Sequence, residues 1–322
     1  MKTNYTLCIL WVGICLGLLE KAYAQQDFPV SSQTGDPAIL VSPALIGNAS
    51  ESAYISLNYK SQMQNAFNGI GTKILSAGYE QTFFEKKMSL ALGVYSNTLN
   101  KSALSDFSVQ LAYRYTVFFG SNFFGEAAHK LSFGLEGVYR QWALSSKNLS
   151  FGSQYDPAYV GGYNPSLSPG LDFVSEKKNI FDAHFGIDYR GELSESIVLQ
   201  IGASFYHLVR PKTNLLDESK RIPIRSLAYV NAVFTLAETH TLTPSIMGQL
   251  QGNAYLFQAG FNYHYNFAES SFFGAGVYYR SSDVIIPMVS LGFPHFALHF
   301  SMELYLKTSY TNMMMLGLGF PF

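Results

Sequence analysis

From His295 to Leu306 every second residue is apolar: Phe296, Leu298, Phe300, Met302, Leu304 and Leu306. Between them lie His295, Ala297, His299, Ser301, Glu303 and Tyr305. Successive side chains of an extended strand point to opposite faces, so this stretch has one apolar and one largely polar face. A shift of one residue would place Glu303 and both histidines on the apolar side, which fixes the register. The pattern recurs along the chain. Phe107, Val109, Leu111, Tyr113 and Tyr115 oppose Ser108, Gln110, Ala112 and Arg114. Leu131, Phe133, Leu135 and Tyr139 oppose Ser132, Gly134, Glu136 and Arg140. Phe181, Ala183, Phe185, Ile187 and Tyr189 oppose Asp182, His184, Gly186, Asp188 and Arg190. Phe273, Ala275, Val277 and Tyr279 oppose Gly274, Gly276 and Arg280.

Only 13% of residues are charged and 16% are aromatic. Such a surface suits lipid better than water. Past the first two dozen residues no apolar run approaches the 18 or so residues of a membrane helix. The remaining way to satisfy every backbone group within lipid is a closed barrel. The expectation is therefore an all-β protein: a transmembrane, antiparallel, up-and-down β-barrel. Strands are expected at 52–60, 71–80, 87–96, 105–118, 129–142, 179–190, 196–207, 224–236, 240–250, 253–265, 271–280, 283–292, 295–306 and 309–320. Fourteen is an even number, as single-chain bacterial barrels require, and it places both barrel ends on the periplasmic side. Connections after odd strands are then extracellular, including the two long ones, 143–178 and 208–223. Those after even strands are the periplasmic turns.

Residues 1–24 read as a secretory signal peptide: Lys2, an apolar run from Leu7 to Leu19, and Ala22-Tyr23-Ala24 as the cleavage site. Ile14 is too bulky to precede a lipidated Cys15. Both cysteines lie in this leader, so the mature chain has no disulfide, thiolate zinc site or cysteine nucleophile. The formal net charge is −1, and loss of Lys2, Lys21 and Glu20 makes it one charge more negative, which excludes a nucleic-acid footprint. Residues 25–51 carry Pro29, Pro37, Pro43, Gly35 and Gly47 and form neither regular strand nor helix. They are either a periplasmic tail or a plug in the lumen. The apolar Ala38-Ile39-Leu40-Val41 favours burial, with Pro37, Ile39, Leu40 and Pro43 as plug residues. The barrel then spans 52–322 and closes on Leu316, Leu318, Phe320 and Phe322, which resembles the C-terminal signal of barrel assembly.

Catalytic signatures are missing: there is no GxSxG, HExxH or phosphate loop, and the expectation is a protein that is not an enzyme and carries no cofactor or metal. His295 and His299 share a face but stand about 13 Å apart, too far to ligate one ion. The seven histidines read as lumen-lining polar residues. Arg114, Glu136, Arg140, Asp182, Asp188, Arg280, His295, His299 and Glu303 are assigned to the lumen. The charged ones either tune a pore or pair across strands. In the loop 143–178, Phe151, Tyr155, Asp156, Tyr159, Tyr163 and Asn164 sit among glycines and prolines. That composition suits a protein-binding loop, or one that folds over the barrel mouth.

Several segments resemble the PorP/SprF family of the Bacteroidetes type IX secretion system. Ser42-Pro43-Ala44-Leu45-Ile46-Gly47-Asn48 stands where the family has an Asn-Pro-Ala-Tyr-Ala-Gly-like motif, with Leu45 and Ile46 in place of Tyr-Ala. Leu57-Asn58-Tyr59-Lys60-Ser61-Gln62 matches a Leu-x-Tyr-Arg-x-Gln strand, with Lys60 in place of Arg. Leu90 to Asn97, Leu111-Ala112-Tyr113-Arg114-Tyr115, Leu131 to Leu135, Asp156-Pro157-Ala158 and Phe185 to Tyr189 follow in order. The resemblance implies a non-catalytic outer-membrane accessory of secretion and gliding motility. Its implied partners are outer-membrane lipid, other type IX components, and a secreted adhesin or a cargo C-terminal domain. The competing reading is a fatty-acid-channel-like barrel for small or hydrophobic solutes, with an N-terminal hatch and an apolar lumen pocket.

Overall fold

The computed structural model describes residues 37–48, 52–62, 72–99, 104–121, 128–145, 152–164, 166–168, 175–212, 221–281, 283–306 and 313–321. Residues 1–36 and 49–51, Phe151 and the terminal Phe322 lie outside these residues. Fourteen antiparallel strands close into a barrel, each pairing with its sequence neighbours and the first with the last. They are β1 (Ala53–Gln62), β2 (Thr72–Phe83), β3 (Met88–Leu99), β4 (Leu104–Phe119), β5 (His129–Ser145), β6 (Ser175–Ser194) and β7 (Ile197–Tyr206). There follow β8 (Arg225–Ala237), β9 (His240–Gln251), β10 (Ala254–Ala268), β11 (Ser271–Arg280), β12 (Val284–Phe293), β13 (Phe296–Tyr305) and β14 (Met313–Pro321). The closing seam runs from Tyr54 opposite Pro321 to Gln62 opposite Met313.

The expected faces hold. On β4, Leu111, Tyr113, Tyr115 and Val117 are exposed, whereas Ser108, Ala112, Arg114 and Thr116 are buried. The exposed set is the lipid-facing belt. Aromatic rings gather at one end of it: Phe119 lies 5.5 Å from His129, Phe267 6.3 Å from Phe293, and Phe293 4.8 Å from Phe296. These lie beside the short turns that follow even strands, the periplasmic rim by the usual asymmetry of outer-membrane barrels.

Two departures from the sequence reading have physical causes. β6 begins at Ser175 rather than 179 and runs for 20 residues, about twice what a tilted strand needs to cross the bilayer. Its first five residues contain no apolar side chain, so they lack the lipid-facing alternation. Backbone pairing with β5 continues beyond the membrane without it, as far as Ser145 opposite Ser175. His295 is corrected: it sits exposed in the turn between β12 and β13 and does not line the lumen. His299, four residues further along on the same nominal face, lies within β13 opposite Ser290 and Gly317.

Candidate functional site: a lumen filled by the N-terminal segment

Residues 37–48 lie against the inward faces of β2 to β9. Pro37 starts a single helical turn, α1 (Ala38–Val41), which is capped where Ser42 N donates to Ala38 O. Four residues cannot hold a helix alone, so packing must do so. Ile39 and Ile46 are fully buried against Ala91 of β3 and Ala112 of β4. Leu40 is half-buried against the same cluster. Leu45 packs on the opposite wall with Tyr206, Leu227, Tyr229 and Met247.

The polar atoms of the segment are answered by strand residues. Tyr206 Oη donates to the Val41 carbonyl, and Ser204 Oγ donates to Ser42 Oγ. Gly47 N donates to Glu80 Oε2 at 2.6 Å. Arg114 donates to Asn48 Oδ1 at 2.7 Å and to Gly47 O at 3.1 Å. Lys130 Nζ donates to the same Asn48 oxygen at 3.0 Å. Gly47 has φ +66°, a conformation in which a side chain would be strained, and a Cβ there would fall 2.3 Å from Ser89 Oγ. The Gly47–Asn48 end of the segment is therefore held by one carboxylate and two cations.

The wall is shaped to admit it. A Cβ on Gly134 would stand 2.2 Å from the Pro43 carbonyl carbon. Pro37, Ile39 and Pro43 are thus buried against the strands, and the sequence missed the glycines and the Tyr206 hydroxyl that hold the segment there. Their signal was available, because Gly134 and Gly186 share the lumen face of adjacent strands.

The predicted lumen charges are also partnered. Glu303 binds Arg280 at 3.0 Å and Lys60 at 3.6 Å. Arg140 binds Asp106 at 3.2 Å. Asp188, fully buried, accepts from Tyr229 at 2.7 Å and Gln200 at 3.0 Å. Asp182 lies 2.5 Å from His207 Nδ1, and Glu136 lies 3.3 Å from His184 Nδ1. One stretch of the inner wall is apolar, against expectation: Val284, Ile286 and Met288 of β12 are buried with Tyr278.

At the other rim, residues 152–164 and 166–168 belong to a compact loop. Tyr155 and Tyr163 bridge as a short antiparallel pair. Asp156 Oδ1 accepts from Ala158 N at 2.9 Å, and Asn164 Nδ2 donates to Asp156 Oδ2 at 3.4 Å. Asp156 and Asn164 thus shape the loop, while Tyr155, Tyr159, Tyr163 and the 97% exposed Val160 face outward.

Comparison with known proteins settles the family. The description "Type IX secretion system membrane protein PorP/SprF" matches residues 22–314, nearly the whole chain. The protein belongs to the PorP/SprF family. It is an outer-membrane barrel of the type IX secretion system. No curated protein matches the sequence. Among solved structures, this PorP/SprF barrel is similar to the Ralstonia pickettii toluene transporter TbuX, with a TM-score of 0.53 and 9% identity over 89% of this chain and 94% of that one. A Pseudomonas aeruginosa FadL homologue gives 0.52 and 11% over the same shares, 89% and 94%. At these identities the likeness is one of fold alone.

Proposed function

We propose that this PorP/SprF barrel is a docking platform: a non-catalytic component that supports secretion or surface attachment of a cargo protein, such as an adhesin, at its outer loops. The observation that carries this reading is the occupied lumen. Residues 37–48 span from β2 to β9, hydrogen-bonded on several sides, and that leaves the outer rim as the working surface. The loop 152–168 offers tyrosines and Val160 on a hydrogen-bonded frame, the composition of a protein-binding patch. The test is to purify the intact protein from its own outer membrane and identify what comes with it. Secretion subunits or a surface adhesin are expected, and deletion of the gene should release that adhesin from the cell surface. Unchanged secretion and retention of every type IX cargo on deletion would overturn the reading.

The apolar patch of Tyr278, Val284, Ile286 and Met288 favours a second reading, a channel for small hydrophobic solutes. A conductance or liposome-swelling assay with and without residues 25–50 separates them. A channel conducts or binds solute with the segment present; a docking platform does not.

A further inference from the structure

Four ionisable side chains converge where β7 parts from β6. The ladder pairs Phe185 with Phe205, and Leu208 N still donates to Ala183 O at 3.1 Å. Between them His207 takes φ +61° and leaves the sheet with its ring buried. Its Nδ1 lies 2.5 Å from Asp182 Oδ2. His184 Nε2 lies 3.6 Å from the same oxygen, and its Nδ1 lies 3.3 Å from Glu136 Oε1. Glu136 and His184 are directly opposed on β5 and β6. One ligand atom from each of Asp182, His184 and His207 falls within 4.8 Å of the other two.

A second observation points to a missing ligand. His184 is 7% exposed, yet neither ring nitrogen makes a hydrogen bond, and neither oxygen of Glu136 does. The separations of 3.3 Å and 3.6 Å are those of ion pairs and not of formed hydrogen bonds. Buried polar atoms seldom stay unsatisfied, and an unplaced ion is one of the standard reasons for such an exception.

We propose that Asp182, His184 and His207 bind one divalent transition-metal ion, with Zn²⁺ the best fit to the donors. Two imidazoles and a carboxylate suit zinc, whereas Ca²⁺ and Mg²⁺ take oxygen ligands. Zinc bonds of 2.0–2.1 Å in tetrahedral array put ligand atoms roughly 3.4 Å apart. The present spacing reaches that with shifts of about an ångström. His184 binds through Nε2 and donates its Nδ1 proton to Glu136, the outer carboxylate that fixes the imidazole. The fourth position opens on a cavity of about 20 Å³ beside Gln110 and Arg140, room for one water. The ion staples the start of the connection 207–224 to the wall. It also fixes Tyr206, the next residue back, whose hydroxyl holds Val41 of the lumen segment.

The full chain, stripped with chelator in detergent and shown folded by its heat-modifiable mobility, is titrated with Zn²⁺ and Co²⁺. One ion per chain is expected, with the visible absorption of four-coordinate Co²⁺. Glu136→Gln should weaken binding ten- to hundred-fold. His207→Asn, which keeps a residue tolerant of positive φ, and Asp182→Ala should weaken it more than hundred-fold. His299→Ala, elsewhere in the lumen, should bind as the parent does. A folded parent that takes up no ion, or a folded His207→Asn that binds as tightly as the parent, overturns the site.

Discussion

Gly134 on β5 stands directly opposite Gly186 on β6, and the Pro43–Ala44 peptide runs across both. A Cβ on Gly186 would meet Ser42 Oγ at 2.7 Å and Ala44 N at 3.0 Å. The obstruction at Gly134 is backbone, which no rotamer change relieves. Gly134→Val should therefore expel the segment and leave the ladder intact, since valine suits a strand. Forcing the segment to stay would cost about 1–3 kcal/mol, and more where the backbone must move. Chymotrypsin reads the outcome: Leu40 and Leu45 should be cut at least ten-fold faster in the variant. Equal protection would mean the segment is not seated on this pair.

Arg114 joins the far end of the segment to the wall through two donors, at 2.7 Å and 3.1 Å. Arg114→Ala removes both and leaves Lys130 alone on Asn48. Hydrogen bonds to charged groups contribute about 1.5–3 kcal/mol. Amide exchange at Gly47, whose N–H is held by Glu80, should accelerate roughly ten- to hundred-fold. Arg114→Lys should restore little, because a single ammonium cannot reproduce the fork that reaches both acceptors. Identical exchange in parent and Arg114→Ala would sink the clamp.

The strands were legible because lipid outside and a filled lumen inside impose opposite demands on alternate residues. That is why Leu111 and Arg114 could be placed on their faces from sequence alone. The burial of Ile39 was legible from composition, since an apolar run next to prolines needs somewhere to go. Which strands receive it was not legible, because contacts such as Ser42 with Ser204 join residues far apart in sequence and carry no period. His207 was hidden for a related reason. It lies one residue beyond β7, and its turn at positive φ, absent from any pattern, brings its ring to Asp182. His295 failed in the opposite way: it continued the alternation of β13 on paper, but the chain has already turned there.

Glu303 stands between two buried cations, Arg280 at 3.0 Å and Lys60 at 3.6 Å. Glu303→Gln leaves both without their carboxylate inside the wall. Breaking one side of a buried ion pair costs about 3–5 kcal/mol. The temperature at which the folded band converts to the unfolded one on a gel should fall clearly. The double variant Arg280→Gln with Glu303→Gln should recover part of the loss, with a coupling of about 0.5–3 kcal/mol. Additive losses would show that the pair acts independently.

The outer loop separates binding from stability. Val160 is almost wholly exposed and Tyr159 is half-exposed, and Tyr159 contributes to the loop's frame through its backbone, which a side-chain substitution keeps. That frame rests on Asn164 N donating to Gln154 O at 2.9 Å and on Asp156 N donating to Gly162 O at 3.1 Å. Surface substitutions away from such contacts change stability by about 0.5 kcal/mol or less. Tyr159→Ala with Val160→Ser should therefore leave the folded band unchanged. If cargo docks here, the same change should cost at least ten-fold in retained adhesin, since exposed tyrosines are frequent anchors of interfaces. Asp156→Ala should lose retention by another route, by opening the turn at Ala158, and its loop should become protease-sensitive. Cell-surface labelling of the retained adhesin reads both variants. Full retention in the Tyr159 and Val160 variant would move the docking surface off this loop and onto the connection 207–224.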